Sequence, residues 1–288
     1  MTHRHGLNAG ELKLSAYVRF DLRRTLTRSA TTHHCGHQLD RFERKRSCVM
    51  NDRSAPSGQN RLLAALQPAD FSLLKPYLKQ IVLEQGALLH EQEDPVEQAY
   101  FPQSGMISLL AVMGDGQAVE TATVGREGTV GAMSGFGPAH ASSRAVVQVA
   151  GTAWVITTSQ LRAAVKQSEH LRNVILHYKE TLLGQVQQTA GCNALHKAEA
   201  RLARWLLQTR DRVDSDRIPL TQDFLSQMLG VRRTTVTMVA GVLQEAGLIR
   251  YRRGHIEIVD RRGLEEAACE CYSVIRKRTD QALPKADV

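Results

Sequence analysis

Residues Leu220 to Ile258 read LTQDFLSQMLGVRRTTVTMVAGVLQEAGLIRYRRGHIEI, and this stretch decides the fold. Thr221 offers a side-chain oxygen suited to capping a helix, and Asp223 puts a negative charge in the first turn, where the helix dipole favours it. Leu225 and Leu229 share one face, four residues apart. Gly230 follows, where a tight turn between two helices needs a positive φ that glycine adopts cheaply. Ser226 is small enough to let a second helix cross closely. Val231, Val236 and Val239 are apolar where that second helix must pack on the first. Arg232, Arg233, Thr234, Thr237 and Met238 fall mainly on the other side. After Gly247 the chain alternates and turns at Arg253-Gly254, the pattern of a two-stranded wing with charged and aromatic side chains near its tip. The spacing predicts a winged helix-turn-helix with a polar, basic outer face.

Charge supports a polyanionic partner for that face. The chain of 288 residues carries a formal charge of +8, unevenly distributed. Residues 201–262 hold twelve basic side chains, all Arg, against seven acidic ones, while residues 51–200 hold eleven against thirteen. A basic segment on a folded module is the electrostatic footprint of nucleic acid, and Arg presents the bidentate fork that suits phosphates and guanine edges. The length allows two ordinary domains plus tails. No apolar run is long enough for a membrane-spanning helix, and the first residues lack the apolar core of a secretory signal. The expected location is therefore cytoplasmic, with no membrane partner. The five cysteines, at 35, 48, 192, 269 and 271, form no disulfide framework.

Working towards the N-terminus, residues 169–195 are expected to form one long helix. Leu171, Ile175, Tyr178, Leu182, Gln185, Thr189 and Cys192 step alternately by four and three, a heptad stripe that suits pairing with a second copy, although an ordinary core-facing helix has the same pattern over so few heptads. Residues 53–168 read as a sensor domain. Two short helices near Arg61 and Pro68 precede β-type runs at Ile81–Leu83, Tyr100-Phe101, Met106–Met113, Val119–Val124, Ala145–Val149 and Ala153–Thr157. Asp115-Gly116 is a hairpin signal, and many short strands with frequent turns favour a closed roll. The fold class is thus α+β: an N-terminal β-roll of jelly-roll type, a long dimerisation helix, a winged helix-turn-helix over 196–262 and a helical tail over 263–288. Residues 1–52 form a basic, poorly apolar extension expected to be disordered, and Met50 is a candidate for the true start.

The order of β-rich domain, long helix and winged helix-turn-helix resembles the Crp/Fnr superfamily of transcription regulators, with the closest local likeness over Leu220–Ile258 and a coarser one from about Arg61 to Asp260. The resemblance implies a homodimer on double-stranded DNA, with RNA polymerase as a further partner and a small-molecule effector. It implies that the helix starting near Arg232 enters the major groove. Arg233 matches the guanine-reading arginine, with Thr234, Thr237 and Met238 as further base-reading positions, and Thr234 and Met238 depart from the usual Glu and Arg. Thr221, Arg232 and Thr235, together with Arg250, Arg252 and Arg253 on the wing, are candidate phosphate contacts.

In cyclic-nucleotide-binding members a Gly-Glu pair and a downstream Arg form the phosphate cassette. Gly131 and Arg144 match it and are the candidate effector residues. Ala132 replaces the Glu, so the ribose hydroxyl loses its acceptor, and Ala145 replaces a small hydroxyl residue; cyclic AMP is therefore not the expected ligand. Gly125, Gly128 and Gly131 read as turn glycines rather than a phosphate loop. No cofactor or metal ligand set is assigned: His177 and His196 read as isolated, Cys269 and Cys271 as buried thiols on a tail helix, and His33, His34, Cys35 and His37 lie in the extension. No catalytic motif is found, which disfavours an enzyme. The competing class is a cyclic-nucleotide-type signalling module acting on a protein partner; the Arg-rich wing favours DNA.

Overall fold

A computed structural model describes residues 60–252 and 254–283. The expected extension at 1–52 and the wing residue Arg253 lie outside the described residues. Chain order begins with α1 (Arg61–Ala64) and α2 (Pro68–Leu74). The strands β1 (Lys79–Leu83), β2 (Leu88–His90), β3 (Gln98–Pro102), β4 (Met106–Val112), β5 (Ala118–Val124), β6 (Arg144–Val149) and β7 (Gly151–Thr157) follow. Next come α3 (Thr158–Gln167), α4 (Glu169–Leu195), α5 (Ala198–Val213), β8 (Arg217–Pro219), α6 (Gln222–Leu229) and α7 (Arg233–Glu245). The strands β9 (Ile249–Arg252) and β10 (His255–Ile258) and the helices α8 (Arg261–Ala267) and α9 (Cys271–Ala282) complete the described chain.

The β-rich domain is built from two antiparallel sheets, ordered β1-β7-β3 and β2-β6-β4-β5. Phe101 and Val155 from the first meet Ile107, Leu109, Val124 and Val147 from the second in one buried core. The expected β4–β5 hairpin turns at Asp115-Gly116. Gly116 has φ +83°, its N–H donates to the Met113 carbonyl at 2.9 Å, and Asp115 accepts from the Gln117 N–H at 3.0 Å. β4 is buried along most of its length because both faces are covered. Ile107 and Leu109 point into the β-domain, whereas Met106 joins the core of the C-terminal domain. That second core gathers Trp205, Leu206, Leu225, Leu229, Val236, Val239, Ile249 and Ile256. The wing has three strands, ordered β8-β10-β9, because Ile218 and its neighbours pair with β10 as an added strand.

The long helix corrects one expectation. Ser168 caps α4 by accepting the Leu171 N–H at 2.9 Å, and the helix runs 27 residues, roughly 40 Å. The stripe read as a dimer seam, however, faces the protein's own interior. Leu171, Ile175 and Tyr178 are buried in the β-domain core, and Leu182 packs against it partly buried. Gln185 is buried and donates to Thr123 Oγ1 at 3.1 Å, and Thr189 is buried further along. Over three heptads a 3.5-residue seam and a 3.6-residue core stripe coincide, and here the intramolecular core uses it. The opposite side of α4 is the more open one: Glu180, Leu183, Gln187 and Ala190 are exposed and Leu176 is half-buried.

α5 carries the C-terminal domain and lies against the β-domain through buried polar contacts. Trp205 Nε1 donates to Glu120 Oε1 at 3.0 Å, and Ser108 Oγ donates to Glu120 Oε2 at 2.6 Å. Arg212 pairs with Glu127 at 2.7 Å and donates to the Thr123 carbonyl at 3.3 Å. Burial pushes the Glu120 carboxyl up to about 7, against the hydrogen bonds from Ser108 and Trp205 and the attraction of Arg204 and Arg212. Burial also pushes Glu127 upward, but the Arg212 guanidinium and the Gly125 N–H outweigh it and hold that carboxyl below its ordinary value.

Candidate nucleic-acid interface

The helix-turn-helix forms as the sequence dictates. Thr221 accepts the Phe224 N–H at 3.3 Å, the side-chain cap of α6. Gly230 ends α6 in the left-handed region at φ 58°, and its α-carbon lies so near β5 that an added Cβ would sit 3.2 Å from Val119 Cγ2. The turn between α6 and α7 therefore rests on the β-domain. Leu225 and Leu229 from α6 meet Val236, Val239 and Leu243 from α7, all buried. Arg232 is the extended residue before α7, so the helix proper begins at Arg233.

The outward face of α7 brings together the four residues expected to read bases: Arg233, Thr234, Thr237 and Met238 are all exposed. Met238 is 60% exposed, a large apolar side chain held in water. Arg233 pairs through Nε with Asp223 on the first turn of α6, and Gln222 Nε2 donates to Thr237 Oγ1 at 3.2 Å. Both pair members are more than half exposed, so the ion pair is worth only about 0–1 kcal/mol and is readily exchanged. Among the candidate phosphate contacts, Thr221, Arg232, Arg250 and Arg252 are exposed and Thr235 is half-buried. Arg250 is directly opposite Glu257 across β9–β10 and pairs with it at 2.7 Å, which partly neutralises it. Gln222 and Asp223, which hold the reading face, were not singled out from the sequence as part of it; their position in the first turn of α6 was the available signal.

The sensor cavity has a volume of about 150 Å³, below the roughly 300–1,000 Å³ of ordinary small-molecule sites. Gly131 is in its wall at φ 82°, in a conformation only glycine fits: an added Cβ would lie 2.3 Å from the Gln98 carbonyl oxygen. Arg144 is not in that wall. It is held in an ion pair with Glu91 at 2.7 Å. Gly131 thus lines the cavity, while Arg144, next to the wall residue Ser143, is engaged by Glu91. The wall includes Ala132, Ser142 and Ser143 from the β-domain and Ile175, Tyr178 and Lys179 from α4. Burial raises the Tyr178 phenol well above its ordinary value, so it stays protonated. Lys179 and the α4 contribution were not foreseen, since only the fold places that helix beside the roll.

A second correction concerns His196, whereas Cys269 and Cys271 are buried thiols as expected. His196 is not isolated: the fold gathers it with Cys192, Cys269 and Cys271, all four potential ligand atoms lying within 4.8 Å of one another. The three cysteines are buried and free. The hydrogen bond that Cys192 shares with Cys269 draws its thiol below the ordinary value despite burial.

Two family models match the chain. One, described as a cyclic nucleotide-binding domain, covers residues 80–168, and the other, described as a Crp-like helix-turn-helix domain, covers residues 200–267. No curated protein matches significantly in sequence. Among solved structures, FixK2 of Bradyrhizobium japonicum is 17% identical with a TM-score of 0.58, over 67% of this chain and 98% of its own. A Crp/Fnr-family transcriptional regulator of Thermus thermophilus is 22% identical with a TM-score of 0.54, over 66% and 98%. The c-di-GMP-responsive global regulator CLP of Xanthomonas campestris is 15% identical with a TM-score of 0.56, over 67% and 99%. At such identities the likeness is one of fold, and it agrees with the two family models in their order along the chain. With a β-roll leading through a long helix into a Crp-like winged helix-turn-helix, the chain belongs to the Crp/Fnr superfamily of transcription regulators.

Proposed function

We propose that this protein regulates transcription by binding a specific duplex sequence as a homodimer, each copy laying α7 in a major groove and its wing along the neighbouring phosphates. The carrying observation is the exposed face of α7, on which Arg233, Thr234, Thr237 and Met238 stand out while Val236, Val239 and Leu243 are buried behind them. A helix fits the roughly 12 Å major groove of B-DNA. Arg233 would leave Asp223 for a guanine edge, with Thr234, Thr237 and Met238 reading neighbouring bases. Thr221, Arg232, Thr235, Arg250, Arg252 and Arg253 would hold phosphates and set the register.

Pairing along α4 is best supported on its open side, where Leu176, Leu183 and Ala190 recur every seven residues. An effector in the sensor cavity would touch α4 directly and so reach the helix that leads to α5. A cyclic nucleotide is disfavoured by the Ala132 methyl, by the Arg144–Glu91 pair and by the small cavity. RNA polymerase is the partner such a regulator would recruit or exclude.

The test is fluorescence anisotropy of the full chain on genomic fragments recovered by binding, against a random duplex, at about 50 and 200 mM salt. Six to ten phosphate contacts predict a loss of roughly 10³–10⁵ in affinity between those concentrations, with the recovered fragments bound more tightly than random duplex at both. Equal affinity for the two duplexes would overturn sequence-specific regulation.

A further inference from the structure

We propose that Cys192, His196, Cys269 and Cys271 form a four-ligand zinc site that clamps the start of α9 to the junction between α4 and α5. Cys192 lies in the last turn of α4, and His196 is the residue that ends that helix. Cys269 lies in the link between α8 and α9, and Cys271 is the first residue of α9. The Cys192 and Cys269 sulfurs are 3.5 Å apart, and Cys271 Sγ is 3.5 Å from His196 Nδ1. A tetrahedral zinc with bonds of about 2.3 Å to sulfur and about 2.0–2.1 Å to nitrogen has ligand–ligand edges of roughly 3.5–3.8 Å. The two shortest separations thus match edges of a closed Cys₃His shell to within a few tenths of an ångström, and the others, none above 4.8 Å, need close by no more than about 1 Å. Ligand atoms that all lie within 4.8 Å of one another converge on a single ion; they would stand further apart around a multi-iron cluster.

The surroundings are those of a metal ligand set. The far ring nitrogen of His196, Nε2, is 3.2 Å from Glu270 Oε1. That partner fixes the proton on Nε2 and leaves the Nδ1 lone pair facing the cysteines, the carboxylate–histidine arrangement that supports metal-bound imidazoles. Gln188 Nε2 donates to Cys271 Sγ at 3.1 Å, as a donor does to a thiolate. Three thiolates and a neutral imidazole around Zn²⁺ carry one net negative charge, and Arg201 and Arg204 at the start of α5 stand close enough to act on Cys192 and Cys269 electrostatically. The Nε atoms of both arginines are buried without a hydrogen-bond partner, so a negative centre nearby adds to what offsets the burial of their charges. The His196 side chain, 26% exposed, gives the ion an entry path.

The balance of the binding step is simple. Each cysteine that is still protonated gives its S–H proton to solvent, four ligand–metal bonds form, and no electron is transferred. The consequence is mechanical. The clamp ties α9, which also crosses α4 where Arg278 donates to the Gly184 carbonyl at 3.2 Å, to the short joint at His196-Lys197 through which α4 continues into the DNA-binding domain.

The experiment uses the full chain purified without air. Zinc, iron and sulfide are counted per chain, and the metal-stripped protein is titrated with Zn²⁺ against a chromophoric chelator and with Co²⁺ as a spectroscopic probe. The expected result is one zinc per chain and the visible bands of tetrahedral thiolate cobalt. Both should be lost in Cys269→Ser and His196→Ala, and the helix content of His196→Ala should be unchanged. Glu270→Gln should weaken zinc about 10–100-fold. A chain carrying His33→Ala, His34→Ala, Cys35→Ser and His37→Ala should keep its zinc. The proposal is overturned by a fully reduced chain that takes up neither metal, by several irons and sulfides per chain, by a Cys192–Cys269 disulfide in the protein as isolated, or by loss of zinc only in the 33–37 variant.

Discussion

Glu120 makes the contact between the β-domain and the DNA-binding domain sensitive to pH, and its replacement by Gln measures that sensitivity. The carboxyl is 4% exposed, accepts from Ser108 and Trp205, and ionises at about 7 because burial disfavours its charge. In the unfolded chain it ionises near 4.5. Between those values the folded protein holds a proton that the unfolded chain has released, so stability falls as pH rises. From 4.5 to about 7, at about 1.36 kcal/mol for each tenfold change in protonation, the loss is about 3 kcal/mol and is complete somewhat above pH 7. Glu127 has the opposite sign: its carboxyl is held low by Arg212, so its contribution is present above about pH 4.5 and lost on acidification. The Gln side chain of Glu120→Gln can accept from Trp205 and carries no charge at any of these values. Urea unfolding followed by the fluorescence of Trp154 and Trp205 gives both stabilities at pH 5, 6, 7 and 8. The variant should gain about 2–3 kcal/mol on the wild type between pH 5 and pH 8, groups common to both cancelling in the difference. Parallel profiles across that range would refute the assignment of a buried, neutral Glu120.

Arg212→Ala strands the Glu127 carboxylate in the same interface and should cost about 3–5 kcal/mol in urea unfolding; a cost under 1 kcal/mol would mean that the pair is solvated. Arg233→Ala should lose about 1–3 kcal/mol of discrimination between the preferred and a substituted site, while binding to random duplex changes little; equal losses on both would remove its base-reading role. Gly131→Ala forces an L side chain to φ 82° against the Gln98 carbonyl and should lower stability by at least about 1–3 kcal/mol; an unchanged melting temperature would contradict that geometry. Saturating cyclic AMP should leave the melting temperature where it is, whereas a ligand bound to the folded state raises it; a rise of several degrees would overturn the reading of Ala132 and Arg144.

Local features were the legible ones. Thr221, the Leu225/Leu229 face, Gly230 and Val236/Val239 specify α6 and α7 because each choice acts within a few residues, and the structure keeps every one of them. The β4–β5 hairpin was equally plain from Asp115-Gly116. β2 was missed, since three residues of half-buried strand leave no period to detect. β8 was not read as a strand because its pairing with β10 is remote in sequence. The stripe on α4 was visible, but its partner was not: nothing in 171–192 distinguishes a second copy from the protein's own core. The ion pair that engages Arg144 comes from Glu91, 53 residues away from that arginine. The cysteine–histidine group joins residues 77 apart; the pairing of Cys-x-x-x-His with Cys-x-Cys was the only trace of it.

Selection of bound duplexes from a random pool, with the full chain and its Arg233→Ala variant side by side, tests the central claim most directly. The account predicts that the wild type enriches a palindrome whose half-sites lie about one helical turn apart, roughly 34–36 Å, and that the variant loses preference at one base pair in each half while retaining salt-sensitive affinity. Enrichment of no sequence by the wild type, or of the same palindrome undiminished by Arg233→Ala, would contradict it.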